Sequence, residues 1–318
     1  MDRLISSVLV VLAVPAVLVG YVLTIEAFAG RLPRSVGDRI RPWLWLLPAF
    51  AFVLVFLIYP MIATILRSLY GSAEGKFVGA ENYVHFFTSS QTLAALGNNI
   101  LWLVFLTGLT VGIGLIVAVL VDRVRYESVV KTVIFLPMAI SFVAAGVIWR
   151  FMYELNPSVG TLNAVVVALG GQPVPWLINA PLNTFMLIVV GVWMQAGFAM
   201  VILSAGLKGI STELLEAARV DGANERQVFR SIMLPLLMPT IAVITTTIVI
   251  IALKTFDIVY TMTNGNFDTE VIANRMYKEL FNYGQPGQAS ATAVILLVAV
   301  VPVMLFNIRR FQQQEAIR

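Results

Sequence analysis

Residues 181–206 read PLNTFMLIVVGVWMQAGFAMVILSAG, a run without a single charged side chain. A helix needs about 20 mainly apolar residues to cross the hydrocarbon core of a bilayer, so this run predicts a membrane-spanning helix. The stretches 4–28, 43–66, 96–121, 132–153, 236–255 and 289–308 pass the same test. Short segments rich in Gly, Asn, Pro and charge separate them. The alternating ten-residue strands of a membrane barrel are absent. In lipid a helix satisfies its own backbone donors and acceptors, so the expected fold is an all-α, polytopic membrane helical bundle.

Composition excludes most other classes. Of 318 residues, 59% are apolar and 12% charged, against roughly 45–50% and about 25% in soluble domains. A net charge of +4 over that length is no nucleic-acid footprint. The absence of cysteine removes disulfides, thiolate metal sites and Cys nucleophiles. The one histidine, His85, has no second ligand or base to work with and reads as a surface residue, so neither a catalytic nor a metal-binding residue is expected.

Cations orient the spans. One set of loops holds Arg31, Arg34, Arg39, Arg41, Arg123, Arg125, Lys131, Lys208, Arg219, Arg226, Arg230, Arg309, Arg310 and Arg318; the other holds Arg3, Arg67, Lys76, Arg275 and Lys278. Lys and Arg stay cytoplasmic, which predicts a cytoplasmic C-terminus and an N-terminus outside. Ala27-Phe28-Ala29 offers a competing reading, a signal-peptidase site after an apolar run. Cleavage there inverts every later loop and places the cation-rich set on the wrong face, so a retained helix is favoured. Residues 1–42 are then an extra N-terminal transmembrane helix with a basic linker, and 43–318 a six-helix core.

The loops differ in kind. Segment 67–95 mixes Tyr70, Phe77, Tyr83, Phe86 and Phe87 with polar residues, as an interfacial belt does. In 154–180 the apolar stretch Leu162–Leu169 reads as a short helix lying in the interface, too short to be a span. Segment 207–235 has a helix–turn–helix pattern. Ser211 or Thr212 caps a helix with Glu213 in its first turn, and Leu214, Leu215, Ala217 and Ala218 give it an apolar side. Asp221-Gly222 ends it, and Asn224 with Gln227 forms a near capping box for a second helix that leads to Leu234-Pro235. Such a hairpin is either a docking surface or a solvated projection.

Glu216-Ala217-Ala218, then Gly222, Ile232 and Leu234-Pro235, stand at the spacing EAA-x3-G-x9-I-x-LP. With Asp221-Gly222-Ala223, Phe229, Phe256-Asp257-Ile258-Val259-Tyr260 and Thr263-Asn264-Gly265, the chain resembles the maltose-type sugar permease subunits of binding-protein-dependent ABC importers over nearly all of 43–318. It departs from them at Gly265-Asn266-Phe267, usually Gly-Gly-Pro, and in the extra N-terminal helix. The resemblance implies a type I permease core in a prokaryotic cytoplasmic (inner) membrane and a second homologous permease. It further implies two copies of a cytoplasmic ABC ATPase and an extracytoplasmic sugar-binding protein. In this family the 207–235 loop is the coupling helix. The implied ATPase-coupling residues are Glu213, Glu216, Ala217, Ala218, Arg219, Asp221, Gly222 and Ala223. The chain has no Gly-x4-Gly-Lys-Ser/Thr phosphate loop, so ATP and Mg belong to the partner ATPase and no cofactor is expected on this chain.

A sugar pathway needs aromatic faces and a few polar groups. Helix 181–206 offers Trp193, Gln195 and Phe198. Matching to the family brings in Met138, Phe142, Ile248 and Ala252, with Ser141 and Thr247 as nearby hydroxyls; Met138 and Phe142 are equally readable as packing residues. Lys254 and Asp257, three apart, read as an intrahelical pair or as snorkelling side chains, with a pathway role as the alternative. Asn98 and Asn99 read as caps or interhelical hydrogen bonds. An α-glucoside or other di- or oligosaccharide is the expected solute through the resemblance. An ABC importer for another polar solute, an ion-coupled transporter and an intramembrane enzyme are the competing readings. The last two lack the intramembrane carboxylates or catalytic constellation they require.

Overall fold

The computed structural model describes residues 2–31, 33–72, 75–122 and 124–315, leaving aside the side chains of 2–12, 14, 18, 34, 35 and 306–315. The chain divides into two compact units, Met1–Leu66 and Arg67–Arg318.

The first unit holds α1 (Asp2–Ala29) and α2 (Arg34–Val53), the latter running on through a π-helical turn at Leu54–Ile58 into α3 (Tyr59–Arg67). The predicted 4–28 span is therefore helical, although many of its side chains lie outside the described residues. Arg41 pairs with Glu26 at 3.1 Å, and the Tyr21 hydroxyl donates to the Leu44 carbonyl. Val36–Arg67 is long and apolar enough to cross a membrane. Phe52, Leu54, Phe56 and Leu57 stand open on its surface, as lipid-facing side chains do.

The second unit continues with α4 (Glu81–Thr88), α5 (Ser90–Leu101), a π-helical turn at Trp102–Leu106, and α6 (Thr107–Val121). Next come α7 (Glu127–Phe135), a 3-10 turn at Leu136–Ala139, α8 (Phe142–Met152), the short α9 (Thr161–Ala168) and α10 (Leu182–Lys208). Then follow α11 (Thr212–Val220), α12 (Glu225–Val228), a π-helical turn at Phe229–Met233 and α13 (Leu234–Leu253). The last elements are α14 (Asp257–Met262), α15 (Ile272–Phe281) and α16 (Pro286–Glu315). Among the described residues five helices are long and apolar enough to span a bilayer, and a sixth span forms if the bent α7–α8 pair counts as one.

Helix α10, the run quoted first, is the axis of this unit. It is apolar on all sides, as a helix buried among other helices must be. Leu187, Ile188, Met200 and Leu203 are each no more than 1% exposed. Helices α6, α7, α8 and α13 pack around it. At Gly197 the approach is backbone to backbone: a Cβ there would stand 2.4 Å from the Ile134 carbonyl oxygen and 2.7 Å from the Phe135 Cα. Small residues at helix contacts allow such approach where lipid supplies no hydrophobic drive.

Two expected spans are broken. The 132–153 stretch bends by 100° between α7 and α8. Pro137 disfavours helix at the residue before it, Ile140 is extended, and Ser141 caps α8 by accepting from the Ala144 N–H at 3.2 Å. The 236–255 stretch stops at Leu253, and the chain passes through Lys254, Thr255 and the non-helical Phe256 before α14 begins. This corrects the reading of Lys254 and Asp257 as an intrahelical pair, since no helix connects them.

A buried polar network fixes the loop end that carries α15. Glu279, 1% exposed, receives Arg275 at 3.0 Å and the Thr292 hydroxyl at 2.9 Å. Lys278 reaches Glu270 at 2.7 Å and the Asn264 carbonyl at 2.6 Å. Asn98 donates to the carbonyls of Asp268 and Glu270 in the loop before α15, whereas Asn99 accepts from the Ile272 N–H at 2.8 Å and so makes the interhelical hydrogen bond expected of it. Phe267 and Asp268 hold left-handed backbone there, with φ of 57° and 61°. Phe267 stands where the sequence leaves the Gly-Gly-Pro pattern, and the Asn183 side chain donates to its carbonyl at 2.6 Å.

Candidate coupling hairpin and solute cavity

The 207–235 segment folds as the helix–turn–helix its sequence predicts. Helix α11 starts after Ser211, whose side chain makes no capping bond. Its end is a full Schellman closure: the Gly222 N–H donates to the Arg219 carbonyl at 3.1 Å and the Ala223 N–H to the Ala218 carbonyl at 3.0 Å. Gly222 sits at φ 87°, a conformation that costs a residue with a Cβ about 1–2 kcal/mol. The capping box also forms, with Gln227 N–H to Asn224 Oδ1 at 3.0 Å and Asn224 N–H to Gln227 Oε1 at 2.8 Å. Arg219 pairs across the turn with Glu225 at 2.7 Å, and that carboxylate holds the guanidinium pKa above its usual value. The second helix, α12, continues through the π-helical turn into α13.

The two sides of α11 meet different surroundings. Thr212, Leu215 and Arg219 line a recess of about 660 Å³ toward Val119, Leu120, Glu127 and Lys208. The opposite side carries Glu213, Leu214, Ala217, Val220 and Asp221, all exposed. Val220 is 86% exposed and Leu214 46%. Two uncovered aliphatic side chains flanked by carboxylates on a hairpin stiffened at both caps are arranged for contact with another surface. Glu216 is exposed at the edge of that face, while Ala218 and Ala223 are half-buried.

The second candidate site is a small cavity of about 50 Å³ lined by Trp102, Leu106, Phe142, Gly191, Gln195, Ile251, Lys254, Thr255, Phe256, Asp257 and Ile258. The π-helical turn supplies Trp102 and Leu106, the bend before α8 supplies Phe142, and the break after α13 supplies Lys254 to Asp257. Irregular backbone at membrane depth is tolerated where it lines a cavity, which is how all three irregularities are used here. Gln195 is 5% exposed and makes no hydrogen bond to a described residue. Among the described residues of this lining, the buried polar atom left without a partner is the indole N–H of Trp102. Such a group is costly, so it marks a place where a ligand or water is expected.

Of the solute residues expected from sequence, Phe142 and Gln195 meet in this cavity. Trp193 packs edge-on against Trp149, with ring centroids 5.5 Å apart, and Phe198 is half-buried against the core. Ser141 serves as the α8 cap, and the Thr247 hydroxyl donates back to the Val243 carbonyl at 2.9 Å. Ala252 is fully buried beneath Asn99, and Met138 is 41% exposed outside the cavity lining. Thr255 and Trp102 went unread as lining residues. The signal for Thr255 was the polar Lys254-Thr255 step interrupting an apolar run. Trp102 carried none.

Comparison with known proteins places these features in a lineage. Residues 110–314 match the family described as binding-protein-dependent transport system inner membrane component. The osmoprotective compounds uptake permease protein GgtC of Synechocystis is 51% identical over 279 residues, covering 86% of this chain and 100% of the relative. The alpha-glucoside transport system permease protein AglF of Rhizobium meliloti is 45% identical over 285 residues, covering 88% of this chain and 85% of the relative. In three dimensions a chain of a bacterial ABC transporter involved in the import of the acidic polysaccharide alginate superposes with a TM-score of 0.75. It is 26% identical, and the match covers 88% of this chain and 99% of that one.

Proposed function

The chain belongs to the family of binding-protein-dependent transport system inner membrane components, and from that premise we propose that it forms half of the translocation pathway of an ATP-driven sugar importer. Membership makes it a multi-pass inner-membrane permease subunit of an ABC importer, working with ATPase subunits and a periplasmic binding protein and not itself catalytic. The proposed assembly adds a second homologous permease and two ATPase copies, which bind the ATP and Mg. The C-terminus is cytoplasmic and the N-terminus outside, with 1–42 an accessory helix and 43–318 the permease core.

The hairpin face of Glu213, Glu216, Ala217 and Asp221, with Ala218, Arg219, Gly222 and Ala223 shaping it, seats in the ATPase. Closure of the ATPase dimer moves the hairpin, and the helices rooted on it open the pathway outward to receive solute from the docked binding protein. Hydrolysis resets it inward.

The proposed solute is a small neutral glucoside. One observation carries this reading: Gln195, which makes no hydrogen bond to a described residue, lines a cavity with the buried, unpartnered indole N–H of Trp102 and with Phe142, Thr255 and Asp257. An amide, a hydroxyl and a carboxylate beside aromatic rings suit vicinal hydroxyls and the C–H face of a sugar. The name of one relative, an alpha-glucoside transport system permease, supports a glucoside, and that of the other says only that its solutes are osmoprotective. At about 50 Å³ the cavity is far below the roughly 300 Å³ minimum of a ligand site, so the partner permease and an open state supply the rest.

The test is uptake by the whole complex in vesicles, with its binding protein. Gln195→Leu is expected to lower uptake about tenfold or more, since the solute then loses a buried hydrogen-bonding partner, while assembly with the ATPase stays intact. Unlabelled α-glucosides should compete with the labelled solute. Uptake indifferent to Gln195→Leu, or competed only by charged or non-sugar solutes, would overturn the reading.

A further inference from the structure

We propose that Glu127 is a positioning residue of the transport cycle, clasping the root of the coupling hairpin to the base of the bent span so that hairpin motion is delivered to the solute cavity. The inference rests on the reading of the 207–235 hairpin as the contact with the ATPase.

Glu127 opens α7, and its carboxylate receives two ammonium groups: that of Lys131, one turn further along, and that of Lys208 at 2.6 Å. Lys208 is the last residue of α10. Lys131 also donates to the Ser204 hydroxyl on α10. Two bridges therefore join α7 to the end of α10, and Glu127 takes part directly in one and orients the lysine of the other.

The positions of these residues along the chain give the clasp its role. From Lys208 only the short 209–211 link leads into α11, which carries Glu213, Glu216 and Ala217. From Glu127, α7 leads through the 3-10 turn to Met138, Ser141 and Phe142, and Phe142 lines the cavity. The hairpin's inner side faces the open 660 Å³ recess instead of a packed wall. Its mechanical roots are therefore the Lys208 end and the Phe229–Met233 turn. A π-helical turn carries one residue more than the α ladder accommodates, so it is the root that yields. The clasped root is the one that transmits.

Exposure argues against a role in holding the fold. The Glu127, Lys131 and Lys208 side chains are 25%, 17% and 56% exposed. Lys208 is open to water, so its bridge to Glu127 adds little stability, but one carboxylate shared by two helices fixes their relative position. Neutralising it should spare folding and change what a stroke of the hairpin accomplishes.

The experiment uses the complete complex with its binding protein in proteoliposomes, measuring solute uptake and ATP hydrolysis in the same vesicles. Glu127→Gln is expected to lower the solute moved per ATP about fivefold or more, with the same ATPase content and melting temperature. Lys208→Met should act similarly, Lys208→Arg should restore wild-type yield, and Glu127→Gln with Lys208→Met should be no worse than either alone. If Glu127→Gln reduces assembly, Lys208→Met carries the same test at a more exposed side chain. An unchanged yield per ATP in an intact complex overturns the clasp. A Gly222→Pro variant run alongside separates the two failures. Loss of stimulated ATP hydrolysis and uptake in Gly222→Pro, with unchanged yield per ATP in Glu127→Gln, rejects the clasp and keeps the hairpin reading, whereas normal hydrolysis and uptake in both variants reject the hairpin reading and the clasp with it.

Discussion

Replacing Gly222 by proline abolishes binding-protein-stimulated ATP hydrolysis and uptake while leaving the subunit in the membrane at its normal level. The reason is local geometry. Gly222 sits at φ 87°, whereas proline is fixed near −65°, so the Schellman closure of α11 cannot form. The Gly222 N–H that reaches the Arg219 carbonyl is lost as well. No heavy atom lies within 4 Å of where a Gly222 side chain would begin, so the change breaks the turn without pushing on the bundle. Gly222→Ala meets the same open space and bears only the left-handed backbone cost of about 1–2 kcal/mol, and should retain part of the activity. The check is ATPase activity of the purified complex with and without liganded binding protein, alongside quantified membrane levels. Full stimulation in the proline variant would contradict the role given to the hairpin.

Replacing Gly197 by valine eliminates the folded subunit. A side chain there enters the backbone of the neighbouring helix, 2.4 Å from the Ile134 oxygen, and backbone cannot rotate aside as a side chain can. Overpacking a core against movable side chains costs about 1–3 kcal/mol, and against backbone the cost is larger. Gly197→Ala should fold with a lowered melting temperature and α7 displaced from α10. Because Ile134 and Phe135 lead straight into Met138, Ser141 and Phe142, the alanine variant should also transport poorly. Detergent-solubilised protein followed by size exclusion after heating tests both. A valine variant that melts like the wild type would show that α7 and α10 do not approach as described.

Much of this was readable in the sequence, for physical reasons that differ by element. Spans such as 181–206 are legible because lipid imposes a length and an absence of charge that few other structures share. The hairpin is legible because its stops are chemical: a left-handed glycine at 222 and reciprocal Asn224–Gln227 capping bonds that depend on local sequence. The interruptions were less so. The 132–153 stretch reads as one span because its composition is continuous, and Pro137 alone does not set the 100° bend found between α7 and α8. The break at Lys254–Phe256 carries no proline or glycine. It depends on tertiary contacts, with Asn99 reaching the Ala252 and Leu253 carbonyls at 3.5 and 3.4 Å. For the same reason the cavity could be named only in part. Phe142 and Gln195 were foreseeable, whereas Trp102 opens a π-helical turn that nothing in its local sequence announces.

Glu127 illustrates a further limit. In sequence it is one carboxylate after a charged loop, and Lys131 one turn later offers an ordinary local pair. Only the fold brings Lys208, 81 positions along the chain, to the same oxygen. Arg275 and Lys278 show the converse. Each contributed to the count of cations that orients the chain, yet in the fold both are nearly buried and paired with Glu279 and Glu270.

The central claim is that the exposed face of α11 meets the ATPase, and the absence of cysteine makes it directly testable. A single Ala217→Cys replacement in the assembled complex, labelled with benzophenone maleimide, should be joined to the ATPase subunit on illumination through a C–H bond of the adjacent surface, with a yield that changes when ATP is added. A cysteine at Val165 on α9, in a loop at the opposite end of the bundle, should not be joined. An intact complex in which Cys at 217 gives no ATPase adduct, or in which the α9 position gives one instead, would contradict the account.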